Sequence, residues 1–217
     1  MLTVYRVVIL SSTFLAGIGA PAEAAPRAQY QNHHVAAGVQ ASACEYPDQK
    51  PDCEMYISGF IDTVNMVIVE GGSDQATKMI CGNTNTPDLI AEFEQEARKT
   101  PQADTDAVLV RLLTTNHLCP KKAVPAYTPK SAGELIDVCH TGDIGFNLCS
   151  QYQWGFLDAL FFMAEKTKTQ VLCGDMRIVD SSIVMLNSEL QTDFRLRQKP
   201  AVWLMLGALQ KQLPCPK

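Results

Sequence analysis

The sequence predicts an all-α fold made of two tandem, small, disulfide-stapled helical domains. Three observations support this prediction. One four-cysteine pattern occurs twice along the chain, apolar residues recur at helical spacing, and no segment shows the strong period-two alternation of a strand. An even number of cysteines in an exported chain indicates a disulfide framework, and all eight cysteines lie beyond the N-terminal leader described next.

Residues 1–24 are typical of a cleaved export signal. Met1–Arg6 carries one positive charge, Val7–Gly19 is apolar, and Ala22-Glu23-Ala24 resembles a signal peptidase site. The apolar run is shorter than the roughly 20 residues that span a bilayer. We therefore expect a soluble periplasmic protein. The net charge of −5 argues against binding to nucleic acid or to an anionic membrane, both of which attract basic surfaces.

An internal repeat defines the domain organisation. The motif C-x-x-Y-x-x-G-F-x-D begins at Cys53 and recurs at Cys149. Its residues are Tyr56, Gly59, Phe60 and Asp62 in the first copy and Tyr152, Gly155, Phe156 and Asp158 in the second. Three further cysteines recur around it, Cys44, Cys81 and Cys119 matching Cys139, Cys173 and Cys215. We therefore expect one copy at 25–121, a proline-containing linker at 122–130 and a second copy at 131–217, with the copies packed as an intramolecular pseudo-dimer.

Apolar periodicity and capping signals predict the helices in order. In the first copy they are 34–43, 53–70, 88–99 and 104–116. In the second copy, a capping box at Ser131 and Glu134 begins a short helix that ends at Cys139. A loop at 142–147 and helices at about 148–166, 178–193 and 201–212 follow. A glycine in mid-helix costs about 1 kcal/mol relative to alanine, so Gly59 and Gly155 indicate close helix packing.

Four cysteines per copy allow three pairings, and the sequence alone does not decide between them. Adjacent ends of packed helices favour one of these pairings. Cys44 ends a helix where Cys53 begins the next, and Cys81 and Cys119 flank two helices that are expected to be antiparallel. The predicted disulfides are Cys44–Cys53, Cys81–Cys119, Cys139–Cys149 and Cys173–Cys215.

The recurring polar residues are interpreted as structural. We expect Tyr56 and Tyr152 to pack in the core with bonded hydroxyl groups, and Asp62 and Asp158 to be helix-surface or capping acids. The second motif helix is apolar on nearly all sides, which indicates either a contact between the copies or with another subunit, or a larger local core. The residues that make it so are Trp154, Leu157, Leu160, Phe161 and Phe162.

At these residues the chain resembles the Rap/Tai family of periplasmic immunity proteins, which protect Gram-negative bacteria from type VI secretion amidases. The shared features are the C-x-x-Y-x-x-G motif on a helix, a cysteine in a turn, and a final helix that ends in Pro214-Cys215-Pro216. The resemblance implies a non-enzymatic protein that binds a secreted peptidoglycan amidase and blocks its active-site cleft. The alternative is a periplasmic structural or envelope protein of the same fold with no toxin partner.

Catalytic and metal sites are not expected. Every cysteine has a repeat counterpart and no C-x-x-C occurs, which disfavours a thiol enzyme, and the histidines lack the spacing of zinc ligands. No cofactor is predicted. The possible partner loop is Gly71, Gly72, Ser73 and Asp74, which is polar and differs between the copies; an ordinary helix connector is the alternative.

Overall fold

The computed structural model describes residues 35–71, 78–120, 127–168, 171–173 and 181–215. Within them lie eight α-helices, one 3-10 helix and one short two-stranded ladder. The all-α prediction is therefore confirmed. The expected signal peptide and residues 122–126 of the predicted linker lie outside the described residues.

The first copy contains four helices and both strands. They are α1 (Ala37–Glu45), α2 (Lys50–Gly71), β1 (Lys78–Ile80), α3 (Thr86–Lys99), α4 (Thr105–Asn116) and β2 (Leu118–Pro120). Side chains cap two of the helices, because Asn85 accepts a hydrogen bond from the Asp88 N–H at 2.9 Å and Asp104 accepts one from the Ala107 N–H at 3.1 Å. These caps fix the starts of α3 and α4 close to their predicted positions.

The second copy contains α5 (Ala132–Cys139), α6 (Gly142–Thr167), α7 (Ser182–Thr192), a 3-10 helix (Phe194–Gln198) and α8 (Ala201–Gln212). The capping box of Ser131 and Glu134 forms as predicted. The predicted loop at 142–147 is wrong, because α6 already begins at Gly142. That residue has a φ of 82°, which glycine tolerates, and it turns the chain directly from α5 into α6. Residues 174–180, where α7 was expected to begin, lie outside the described residues.

All four predicted disulfides are present: Cys44–Cys53, Cys81–Cys119, Cys139–Cys149 and Cys173–Cys215. Two of the disulfides, Cys44–Cys53 and Cys139–Cys149, close the short turns between α1 and α2 and between α5 and α6. The other two join segments 38 and 42 residues apart. In the first copy the long disulfide lies beside the β1–β2 ladder, in which Met79 is paired with Cys119. The same segments are therefore joined by both backbone hydrogen bonds and a covalent bond.

Two clusters of buried side chains follow the two copies, and each includes a residue from the other copy. Ala159 of α6 belongs to the first cluster, and Met66 of α2 belongs to the second. Helices α2 and α6 share the most extensive contact of any two elements. Of the extra apolar residues of α6, Leu157 and Leu160 lie in the second cluster together with Met66 of the first copy, whereas Trp154 is 36 % exposed. The copies are thus packed directly against each other.

Candidate functional site

The two motif glycines lie at the closest approach of α2 and α6. A Cβ atom built on Gly59 would overlap the carbonyl oxygen of Tyr152, and one built on Gly155 would overlap the carbonyl oxygen of Tyr56. Each glycine therefore lies against the backbone at the motif tyrosine of the other copy. The predicted packing role of both glycines is confirmed, and the contact is reciprocal.

The hydroxyl group of Tyr152 reaches across the same contact to Asp62. It donates a hydrogen bond of 2.5 Å to Oδ2 of Asp62, which is completely buried. The Tyr127 hydroxyl donates to Oδ1 of Asp62 at 2.7 Å, and the Lys130 backbone N–H donates to Oδ2 at 3.0 Å. One carboxylate of the first copy therefore holds the motif tyrosine of the second copy and the segment that leads into it.

The equivalent interaction joins Tyr56 to the second copy. Its hydroxyl group donates to Oδ2 of Asp158 at 3.0 Å, and it also lies 3.2 Å from Oδ1 of Asp106 at the start of α4. Both aspartates are at most 2 % exposed. In the second copy the position corresponding to Asp106 is Val202, so this half of the contact carries a carboxylate that the other half lacks.

We call the six motif residues that meet in this way the inter-copy contact: Tyr56, Gly59, Asp62, Tyr152, Gly155 and Asp158. The motif phenylalanines Phe60 and Phe156 are fully buried, in the first and second clusters respectively. The prediction that the tyrosines pack in the core with bonded hydroxyl groups is confirmed. The interpretation of Asp62 and Asp158 as helix-surface or capping acids is wrong, because each accepts a hydrogen bond from the other copy in the interior.

Burial shifts the ionisation of these groups. Desolvation raises the pKa of Asp62 from 3.8 to about 6, against the hydrogen bonds from Tyr152, Tyr127 and Lys130, which favour the charged form. Burial, reinforced by the facing carboxylates, raises the pKa of Tyr152 and Tyr56 well above 10. The tyrosines therefore remain neutral donors at physiological pH, and the arrangement is suited to holding two copies together.

Two residues that bond to the inter-copy contact carry no repeat signal. Tyr127 lies in the predicted linker, and Asp106 is replaced by valine in the second copy, so the motif comparison does not reveal either residue. The linker carries one aromatic residue and no acid, so its composition does not reveal Tyr127 either. Their positions depend on contacts between residues that are 50 or more apart in the sequence.

Three other kinds of candidate site are the predicted partner loop, a surface cleft and a metal site. Gly72, Ser73 and Asp74 of the predicted partner loop lie outside the described residues, and Gly71 is the last residue of α2. A surface cleft of the first copy is lined by Asp88, Glu92 and His117, where Glu92 accepts a hydrogen bond from Asn116 and contacts the His117 ring. Within the described ranges, no group of three or more histidine, cysteine or acidic side chains could hold a metal ion.

The described helices include none with both the length and the apolar character needed to cross a membrane. All eight cysteines are paired in disulfides, which indicates an oxidising compartment outside the cytoplasm. No protein-family model, curated protein or solved structure matches the chain.

Proposed function

We propose that the protein is a periplasmic immunity protein that binds a type VI secretion peptidoglycan amidase and blocks its active-site cleft. It is exported by the signal at residues 1–24, and it acts by binding, without catalysis. Its partner is a protein, and it needs no cofactor.

The reciprocal inter-copy contact is the observation that carries this proposal. The motif residues that produce the resemblance to Rap/Tai proteins are the ones that hold the copies together, through Tyr152 with Asp62 and Tyr56 with Asp158. Their hydroxyl and carboxyl groups are buried and bonded to each other, so they are engaged in assembly and away from any substrate. The result is a single-chain pseudo-dimer with its outer surfaces available to a partner.

The four disulfides support a role in the cell envelope. They join all the cysteines within their own copies, so each copy is crosslinked independently. Crosslinks of this kind reduce the entropy of the unfolded chain by an amount worth about 3–4 kcal/mol each in the loop-closure model. A binding protein in the cell envelope benefits from that stabilisation.

A protection assay tests the proposal. Each type VI-secreted amidase of the source bacterium is directed to the periplasm of a sensitive host, with or without this protein. We expect full-length protein to restore growth against at least one amidase. A variant lacking residues 1–24, which stays in the cytoplasm, is the control and should not protect.

Failure of the exported protein against every such amidase would reject the immunity function. An envelope protein of the same fold, without a toxin partner, would then be the better explanation, and deletion of its gene should alter envelope integrity in the absence of any attacker.

A further inference from the structure

The start of α6 presents two large apolar side chains to solvent within a disulfide-closed loop. Ile144 is 75 % exposed and Phe146 is 67 % exposed, whereas Gly145 between them is buried. Both lie between Cys139 and Cys149. We call residues 142–147 the tip. Exposed large apolar residues of this kind are favourable contact groups when they cluster on one structural feature.

The tip is rigid before it meets a partner. The Cys139–Cys149 disulfide closes its base, and a Cβ atom on Gly145 would overlap the carbonyl oxygen of Val138, so the first turn of α6 packs directly on the end of α5. Thr141 donates to the Val138 carbonyl through both its N–H and its hydroxyl group. A preorganised element loses little conformational entropy on binding, which favours affinity.

The geometry of the tip favours a concave partner surface. Residues two positions apart on an α-helix project about 200° from each other. Ile144 and Phe146 therefore extend from opposite sides of the first turn of α6. A flat surface could cover only one of them, whereas the walls of a cleft would contact both.

The charge around the tip indicates the charge of the partner surface. Asn147 donates to Asp52 at 2.7 Å, which places the tip beside the Cys44–Cys53 loop of the first copy. Together the two disulfide loops carry four carboxyl groups and one amino group, on Glu45, Asp48, Asp52, Asp143 and Lys50. Arg98 pairs with Glu45 at 2.6 Å, so the carboxyl groups still outnumber the cations on this surface. Such a surface repels a second copy of itself and an anionic membrane, and it attracts a cationic protein surface.

We propose that the tip inserts Ile144 and Phe146 into an apolar cleft with a basic rim on the partner protein. The identification of that partner as a peptidoglycan amidase rests on the proposed function; the cleft itself is inferred from the tip. The described residues include one such tip, because the corresponding loop of the first copy carries Tyr46 in place of this pair. Each chain would therefore bind one partner molecule through it.

Site-specific photocrosslinking in the periplasm of the source bacterium tests the proposal. A photoreactive amino acid replaces Ile144, Phe146, Val184 or Phe194, one at a time, in the full-length chain. Val184 and Phe194 are matched controls, because they are 67 % and 76 % exposed and lie in α7 and the 3-10 helix. We expect positions 144 and 146 to crosslink to the same protein and the control positions not to crosslink to it.

Affinity for the purified crosslinked protein completes the test. Ile144→Ser with Phe146→Ser should weaken binding at least about 100-fold, and added salt should weaken wild-type binding, whereas Val184→Ser with Phe194→Ser should change it less than about threefold. Unchanged melting temperatures would show that all variants fold.

Each outcome is decisive. An amidase bound through both positions supports both proposals, and a different protein bound in this way with the expected loss of affinity supports the tip and rejects the amidase. Crosslinks to a second copy, crosslinks from the control positions alone, or no crosslinks at 144 and 146 would overturn the tip proposal, even if the protection assay succeeds.

Discussion

The two halves of the inter-copy contact use the same motif residues in different surroundings. On one side, Asp62 accepts hydrogen bonds from Tyr152, from Tyr127 and from the Lys130 N–H. On the other side, the hydroxyl group of Tyr56 lies between Asp158 and Asp106. The tyrosine–aspartate pair is therefore common to both sides, and the third group is different.

The difference shows that two copies of one motif take different roles within one chain. The Asp62 side holds the segment that connects the copies, a task that has meaning only in a single chain. The Asp158 side combines two carboxyl groups around one phenol, which can donate to only one of them at a time. The tyrosine–aspartate pairs, which occur on both sides, hold the copies together. Tyr127 and Asp106, which each occur on one side, make the two sides different.

The glycines should produce the largest effect if they are changed. Gly59→Ala or Gly155→Ala places a methyl group against a carbonyl oxygen of the other copy, and the backbone on each side cannot move without disturbing the other contacts. We expect either substitution to lower the free energy of unfolding by about 4 kcal/mol, which is near the upper end of overpacking effects. Chemical denaturation measures it.

Gly207→Ala in α8 is the matched control. A Cβ at that position meets nothing within 4 Å, so the methyl group should raise the free energy of unfolding by about 0.5–1 kcal/mol through helix propensity. A clear difference between Gly59→Ala and Gly155→Ala would show that the contact is not reciprocal.

Protonation of Asp62 should make the stability of its half of the contact depend on pH. Its pKa is raised from 3.8 in the unfolded chain to about 6 in the folded protein, so the folded state binds the proton more tightly. The resulting stabilisation is complete below about pH 4 and is lost as the pH rises through about 6; a shift of this size corresponds to about 3 kcal/mol.

The stability difference between the wild type and Asp62→Asn isolates this effect. It should decrease by up to about 3 kcal/mol between pH 4 and pH 7, measured by denaturation at each pH. Glu134→Gln is the control for a carboxyl group whose pKa is lowered by Ser131, and its difference from wild type should change in the opposite direction with pH. If the stability difference between the wild type and Asp62→Asn did not change with pH, the raised pKa of Asp62 would be contradicted.

Removal of single tyrosine hydroxyl groups should give the smallest loss of stability, and it compares the two halves one hydrogen-bond donor at a time. Tyr152→Phe leaves Asp62 with its hydrogen bonds from Tyr127 and Lys130, whereas Tyr56→Phe removes the donor that lies between two carboxyl groups. We expect losses of about 1 kcal/mol and about 2 kcal/mol, respectively. Thermal or chemical denaturation measures them, and Tyr46→Phe at an exposed position should be nearly neutral. Equal losses at Tyr56 and Tyr152 would show that the two halves are energetically the same.

Local signals in the sequence predicted much of the fold. The capping box at Ser131, the cysteine pairs and the helical periodicity act over short distances or between adjacent helix ends, so they can be read from the sequence alone. The glycine role was also predictable, because an unfavourable residue recurs at one position in both copies. The capping box and the disulfides belong to each copy separately, and the glycines indicate a close helix contact without identifying the other helix.

Features that depend on a packing partner distant from the local pattern could not be predicted. Asp62 and Asp158 occupy helix positions typical of surface acids, and their tyrosine partners are 90 and 102 residues away in the sequence. The start of α6 was also missed, because Gly142 and Gly145 are typical of a loop until the packing of α5 is known. In both cases the deciding interaction involves an element that the local pattern does not specify.

The reciprocal contact has a consequence for abundance. A dimer of separate subunits dissociates when it is diluted, so its active fraction falls with expression level. Here the two halves are tethered, and a short tether holds them at an effective concentration on the order of millimolar. The paired state therefore persists at a few molecules per cell, and the dose of the functional unit rises in direct proportion to synthesis.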